Sequence, residues 1–188
     1  MLYELAPELN NCKAGELKSA KLPHLETIIR MDEEKSPGMF NFGEICEAGS
    51  SEDFDRLISL GESLKASDPI NIQFTSGTTG MPKGATLTHT NILNNAYFGG
   101  QSMRLTPDDR LCIPVPLYHC FGMVLGTLIC ISQGATMVLP GEVFEPVQTL
   151  EVAAAEKCTA LHGVPTMFIA ELDLPDFKEY DLSALRTG

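Results

Sequence analysis

The sequence predicts an α/β fold, a partial doubly wound and largely parallel sheet with helices on both faces. Short runs of β-branched and apolar residues alternate with helical patterns of about ten to fifteen residues, which is the pattern of βαβ crossovers. Turns rich in Gly, Pro, Asn and Asp separate these runs. The 188 residues are 44% apolar, enough to fill a core.

Residues 1–67 are predicted to form a leading βα segment. The segment begins with a short helix and ends in an acidic amphipathic helix over residues 52–64. Ser50 or Ser51 suits the N-cap of that helix, because a hydroxyl can accept a bond from a free amide of the first turn. Between the two helices the pattern predicts a strand over residues 25–31 and a turn at Pro37 and Gly38.

Residues 68–188 are predicted to form the core of the fold. A strand over residues 70–74 leads into a Gly- and Thr-rich loop, and a second strand over 85–87 leads into a helix opened by Thr90 or Asn91. After a turn at residues 107–109 the alternation repeats. The later elements are strands over 110–115, 135–139, 159–162 and 184–186, helices over 121–131 and 146–157, and a helix beginning at Pro165.

Charge argues against a nucleic-acid surface. The formal net charge is −12 with 13 Lys and Arg, and phosphate backbones are bound by clustered cations. More than half of the 25 acidic residues precede position 69, and none lies in residues 69–107, which contain Lys83 and Arg104. This stretch fits a small-anion site and fits equally a buried segment that excludes charge of either sign.

The cysteines and the start of the chain predict neither a metal site, nor a disulfide framework, nor a leader. The six cysteines are widely spaced without a CxxC pair, which favours small buried hydrophobes in a reducing compartment. The first residues lack the basic and apolar regions of a secretory signal and the Arg-rich pattern of a transit peptide. The uncharged residues 111–141 are divided by glycines into runs shorter than the ~20 residues of a membrane span.

Residues 75–84, TSGTTGMPKG, have the composition of a polyphosphate cradle. Glycines let backbone approach a ligand, hydroxyls donate hydrogen bonds, and a lysine supplies positive charge. The spacing is not that of a GxxxxGK[ST] loop, because Gly84 follows Lys83. A flexible hairpin whose flanking strands pair explains the same composition. The predicted site comprises Thr75, Ser76, Gly77, Thr78, Thr79, Gly80, Met81, Pro82, Lys83 and Gly84.

The same ten residues resemble the signature [TS]SG[ST]TGxPKG of AMP-forming synthetases, which include acyl-CoA ligases, luciferases and peptide-synthetase adenylation domains. Residues 116–122, PLYHCFG, resemble the next core motif of that family. This resemblance implies that Tyr118 and His119 line the path of the substrate carboxylate; alone, His119 in an apolar stretch would more often be a core histidine. Residues 68–89 and 163–168 are most similar to mitochondrial medium-chain acyl-CoA ligases.

The resemblance implies a two-step ligase reaction within a partial AMP-binding, N-terminal domain over residues 1–188. A fatty acid would attack MgATP to give acyl-AMP, and coenzyme A would then displace AMP. ATP, Mg²⁺ and coenzyme A would be cosubstrates that are not tightly bound, and the partners would be these small molecules rather than nucleic acid. No catalytic residue or metal ligand is assigned within the chain.

The adenine, ribose and catalytic-lysine motifs of the family, with its C-terminal domain, are not found in this sequence. We therefore expect a fragment that is inactive alone, so that Lys83→Ala has little effect on its activity. The alternatives are a non-catalytic short form that binds the full-length ligase and an unrelated NTPase. The resemblance implies a mitochondrial location, otherwise a cytoplasmic one. Self-association through an unpaired edge at residues 184–186 is a further expectation.

Overall fold

A computed structural model of the protein describes residues 1–76 and 80–188. The chain divides into two units, Met1–Leu64 and Lys65–Gly188. The first unit contains, in order, α1 (Leu2–Leu5), a 3₁₀ turn (Pro7–Asn10), β1 (Ile29–Arg30), β2 (Phe40–Asn41), α2 (Phe42–Glu47) and α3 (Ser51–Ser63). None of the described helices is long and apolar enough to cross a membrane.

The first unit confirms most of the elements predicted for it. β1 and β2 pair in parallel, and the predicted strand over residues 25–31 is reduced to two residues. Ser50 caps α3 as predicted, since its Oγ accepts a hydrogen bond from Asp53 N at 3.3 Å. The core of this unit consists of Ala6, Leu9 and Leu17, and α3 buries none of its residues.

The second unit opens with a hairpin. β3 (Pro69–Thr75) and β4 (Lys83–Thr88) pair antiparallel, with an irregularity between Pro69 and Asn71. This is the strand pairing of the hairpin interpretation. Beyond this irregularity β3 alternates Ile72 and Phe74 on one face with polar Asn71 and Gln73 on the other.

α4 (His89–Ser102) begins earlier than predicted. Thr88 is its N-cap, because Thr88 Oγ1 accepts from Asn91 N at 3.2 Å while Asn91 Oδ1 accepts from Thr88 N at 3.0 Å. The prediction of Thr90 or Asn91 as the first residue was wrong for a tertiary reason. The hydroxyl of Thr90 donates instead to Ala66 O at 2.9 Å.

A three-stranded parallel sheet of order β6–β5–β7 forms the centre of the second unit. The predicted strand 110–115 ends at Cys112, and Pro114 and Pro116 beyond it cannot donate to a ladder. The elements are β5 (Arg110–Cys112), a π-helical segment (Phe121–Leu128), α5 (Ile129–Gln133), β6 (Thr136–Val138), α6 (Pro146–Ala155), β7 (Ala160–Leu161), α7 (Pro165–Leu172) and a 3₁₀ turn (Phe177–Glu179).

Helices cover both faces of this sheet, as predicted. Leu111 on β5 belongs to a core cluster with Ile92 of α4 and Ile129 of α5. The next residue, Cys112, belongs to a second cluster with Ala153 of α6, against which Phe168 of α7 packs. Alternate residues of one strand therefore point into two cores, and the α/β class with a parallel sheet is confirmed.

The predicted closing strand over residues 184–186 is wrong. Residues 183–184 form a turn, and the backbone reaches β7 only afterwards, where Thr187 bridges Ala160. Arg186 N donates to Thr159 O at 2.9 Å, but its guanidinium is held by Asp109. The side chain of Arg186 thus fixes this segment, and the strand-like contact lies at residue 187.

Candidate functional site

The predicted phosphate loop joins β3 to β4. Thr75 and Lys83 are directly opposite each other as the last pair of the ladder. Ser76 follows Thr75, and Gly80, Met81 and Pro82 precede Lys83, all of them exposed. The predicted contacts at Gly77, Thr78 and Thr79 lie outside the described residues. The structure therefore brings a hydroxyl and an ammonium group to the adjacent ends of two paired strands.

Gly80 and Gly84 of the predicted loop have different structural roles. Gly80 has φ +83°, a conformation that favours glycine. Gly84 lies in β4, where an added Cβ would be 3.0 Å from Ile72 Cγ2 and 3.4 Å from Phe74 Cε1. The close approach at Gly84 is therefore made by side chains of the partner strand.

Lys83 is available to an anion. It is exposed, and it makes no ion pair among residues 1–76 and 80–188. No carboxylate is present on β3, β4 or α4 to compete for it. Because side chains alternate along a strand, Lys83, Ala85 and Leu87 share one face of β4.

An apolar cavity of about 490 Å³ begins where β4 ends. Its walls come from β4, α4 and the π-helical segment, and amide groups stand among them. Pockets of this size and character are typical of sites for small apolar ligands. The lining residues are Leu87, Asn91, Ile92, Asn95, Cys120, Phe121, Val124 and Leu125.

Tyr118 and His119, the predicted pocket pair, separate in the structure. Tyr118 is 88% exposed and lines a different depression of about 530 Å³ beside Pro116 and Met167. His119 is exposed, and its Nδ1 accepts a hydrogen bond from Phe121 N at 3.1 Å. The next two residues, Cys120 and Phe121, line the 490 Å³ cavity.

Sequence reasoning missed the residues that form this cavity. Phe121, Val124 and Leu125 have the i, i+3, i+4 spacing that places side chains on one helical face. This spacing was visible in the sequence, but it indicates only a buried helical face. It does not show that α4, on the opposite side, leaves a cavity.

A second cavity, of about 680 Å³, lies beyond the end of β7 and contains two buried titratable groups that were given no role. Burial lowers the pKa of His162, whose Nε2 is hydrogen bonded to Leu125 O at 2.8 Å. Burial raises the pKa of Glu171 to about 7. Its position within the apolar helix α7 was the only sequence signal for this carboxyl group.

No group of three or more His, Cys, Asp or Glu side chains that could hold a metal ion occurs in the part of the chain that the structure describes. The described residues offer a cation and hydroxyls at the ends of two paired strands, one of which leads to an apolar cavity.

Comparison with known proteins assigns the chain to a family. Residues 7–188 match the family described as AMP-binding enzyme. Over 188 residues the chain is 50% identical to YngI of Bacillus subtilis (strain 168), whose acyl-CoA synthetase designation is provisional, covering 100% of this chain and 34% of that protein. It is 46% identical over 190 residues to the mitochondrial medium-chain acyl-CoA ligase ACSF2 of Danio rerio, covering 100% of this chain and 31% of that protein.

Solved structures of adenylate-forming enzymes are similar to this chain in fold. The anthranilate CoA ligase AuaEII in complex with anthranoyl-AMP matches at 26% identity and TM-score 0.72, covering 88% of this chain and 31% of that one. ATP-bound MatB from Rhodopseudomonas palustris matches at 35% identity and TM-score 0.55, covering 60% and 22% respectively. The chain spans about a third of the length of the curated relatives it matches. On the sequence match, the chain belongs to the AMP-binding enzyme family.

Proposed function

We propose that this chain supplies the ATP-phosphate loop and the acyl cavity for activation of a medium-chain fatty acid. Strand β4 carries the proposal, because Lys83 at its start and Leu87 near its end share one face. At about 3.4 Å per residue these positions are roughly 14 Å apart along the strand. A fatty acid could lie with its tail beside Leu87 and its carboxylate toward the hairpin turn.

In the proposed reaction a carboxylate oxygen attacks the α-phosphorus of ATP, pyrophosphate leaves, and acyl-AMP remains. The substrate carboxylate and the ATP phosphates are both negatively charged and repel each other. Lys83 and the hydroxyls of Thr75 and Ser76 would offset this charge. The apolar cavity would hold the alkyl chain and exclude water from it. Coenzyme A thiol would then attack the acyl carbon and release AMP, a step for which no residue of this chain is assigned.

Three finer statements belong to the same proposal. Mg²⁺ and coenzyme A enter as cosubstrates, with none of the described residues assigned to the metal. The location is mitochondrial, which is supported by the names of relatives such as ACSF2 of Danio rerio. The 188 residues alone bind ATP and the fatty acid but do not convert them to product. This is supported by the chain spanning about a third of the length of those relatives.

Nucleotide binding tests the phosphate half of the proposal. Calorimetric titration of the chain with ATP should show binding that Lys83→Ala weakens roughly tenfold, the loss of about one charge-assisted hydrogen bond. Lys65→Ala, another exposed lysine of the same unit, is the matched control and should not change the affinity. Absence of ATP binding at millimolar concentration, or equal loss in both variants, would reject the phosphate site.

Fatty-acid binding tests the acyl half. Octanoate should bind the chain, and Val124→Phe should abolish that binding by filling the cavity. Val143→Phe makes the same change at a position that is 77% exposed and should bind normally. Equal octanoate binding by both variants would show that this cavity is not the acyl site. ATP–pyrophosphate exchange by the chain alone would contradict the proposed inactivity.

A further inference from the structure

One nucleophile at the cavity has no role in the proposed reaction. Cys120 is exposed, and it also lines the 490 Å³ cavity. Its Sγ lies 3.8 Å from Nδ1 of His119. The thiolate is the nucleophilic form of cysteine, and this sulfur lies at the opening of an apolar cavity.

The imidazole of His119 is engaged by the backbone. Its Nδ1 accepts a hydrogen bond from Phe121 N at 3.1 Å, which uses the one lone pair of that nitrogen and leaves the proton of the neutral ring on Nε2. This hydrogen bond holds His119 at the start of the segment Phe121–Leu128, next to the sulfur. Cys120 itself is exposed, so water can take the thiol proton.

We propose that Cys120 is a modification site that captures α,β-unsaturated aldehydes and ketones bearing an apolar tail. The tail would enter the cavity between Ile92 and Val124, which sets the electrophilic carbon beside the sulfur. This site stands independently of the proposed ligase reaction, because capture requires neither ATP nor turnover.

The chemistry balances without a further reactant. The sulfur lone pair forms a C–S bond to the β-carbon, and the π electrons of the C=C bond move to the α-carbon through the enolate. The thiol proton passes to water, and a proton from water ends on the α-carbon. The product is a thioether, nothing is released, and no oxidation occurs.

The other cysteines provide an internal reference. Cys112, Cys130 and Cys158 are buried. Cys46 is exposed like Cys120, but it lines none of the described cavities. The ratio of modification at Cys120 to that at Cys46 therefore measures what the cavity adds to plain exposure.

The test uses the intact chain with two electrophiles, trans-2-nonenal and acrolein, which share the reactive group and differ in the tail. Peptide mapping by mass spectrometry after short exposure gives the rate at each cysteine. We expect nonenal to favour Cys120 over Cys46 by roughly tenfold or more, since burying two methylenes already gives about that factor. Acrolein should show a much smaller preference.

Two variants locate the cause. Val124→Phe should remove the nonenal preference while leaving acrolein unchanged, and Val143→Phe should change neither. Equal nonenal rates at Cys120 and Cys46 would overturn the proposal, as would an unchanged preference in Val124→Phe.

Discussion

The β3–β4 hairpin and the three-stranded sheet of the second unit are held by different means. Ile72 and Phe74 on the hairpin are 61% and 67% exposed, whereas Leu111, Cys112 and Ala160 on the sheet are fully buried. Burial of apolar side chains is the main source of folding stability, so the sheet should dominate the unfolding free energy. The predicted phosphate-binding chemistry lies on the hairpin, so substitutions should separate stability from binding.

Asp109 is the polar centre of the sheet region. Its carboxylate accepts from Arg186 Nη2 at 2.6 Å, Thr159 Oγ1 at 2.6 Å and Thr106 N at 2.8 Å. Burial by itself would raise the pKa of Asp109, but the hydrogen bonds from Arg186, Thr159 and Thr106 outweigh it and hold that pKa far below its usual range. One side chain thus ties together segments that are far apart in sequence.

The largest effect is expected from Asp109→Asn, which leaves Arg186 without its charged partner. The free energy of unfolding, measured with urea, should fall by about 3 kcal/mol, the lower end for a broken buried pair because Arg186 is partly exposed. Asp108→Asn changes an exposed neighbour and should have almost no effect. Since the folded pKa is lowered, the contribution of Asp109 is present above pH ~4 and is lost as pH falls below it.

Equal stability of the Asp108→Asn and Asp109→Asn variants at pH 7 would show that this network does not hold the sheet. A wild-type contribution that persists unchanged to pH 2 would contradict the lowered pKa.

Glu171 should produce the opposite pH dependence. Burial raises its pKa from 4.5 to about 7, so the neutral carboxyl group is favoured in the folded state. Its contribution to stability is therefore full below pH ~4.5 and is lost as pH rises through 7, a change of roughly 3 kcal/mol. The difference in unfolding free energy between Glu171→Gln and wild type should shift in favour of the variant from pH 5 to pH 8. Glu179→Gln, an exposed control, should follow wild type at both pH values. Parallel pH profiles for wild type and Glu171→Gln would reject the raised pKa.

Backbone packing gives a third contrast between the two regions. A Cβ added at Gly122 would overlap the carbonyl of Pro116 and come within 3.0 Å of Leu117 Cα, so backbone has to move. Gly122→Ala should therefore lower stability by about 2 kcal/mol, as overpacking does. At Gly84 the nearest atoms are ends of the exposed side chains of Ile72 and Phe74, and Gly84→Ala should cost less than about 0.5 kcal/mol. Thermal melts that rank the variants the other way round would contradict this contrast.

Sequence alone predicted the features that depend on neighbours in the chain. Ser50 was identifiable as an N-cap because its bond to Asp53 spans three residues. The start of α4 was not, since Thr88 and Thr90 are locally equivalent and a contact with Ala66 distinguishes them. The closing strand over 184–186 failed for the same reason, because Asp109 holds Arg186 across 77 positions.

In the candidate site, too, sequence alone predicted what depends on neighbouring residues and missed what depends on contacts between elements. The string at residues 75–84 identified Lys83 and Thr75, and the hairpin register then placed them opposite each other. Tyr118 and His119 were taken from a motif, but the cavity belongs to the helical face that begins after them. Cavities arise where two elements fail to meet, and a pattern within one element cannot show that.

The smallest stability effect is expected from Lys83→Ala. Lys83 is exposed at the end of the hairpin and forms no ion pair among the described residues, so its removal should change the unfolding free energy by less than about 0.5 kcal/mol. Urea unfolding of Lys83→Ala and wild type without nucleotide should give superimposable curves. With ATP present the curves should separate, because a ligand that binds only the folded chain stabilises it by RT ln(1 + [L]/Kd). A destabilised variant in the absence of ATP would mean that Lys83 has a structural role, and the separation of binding from stability would then fail at its central residue.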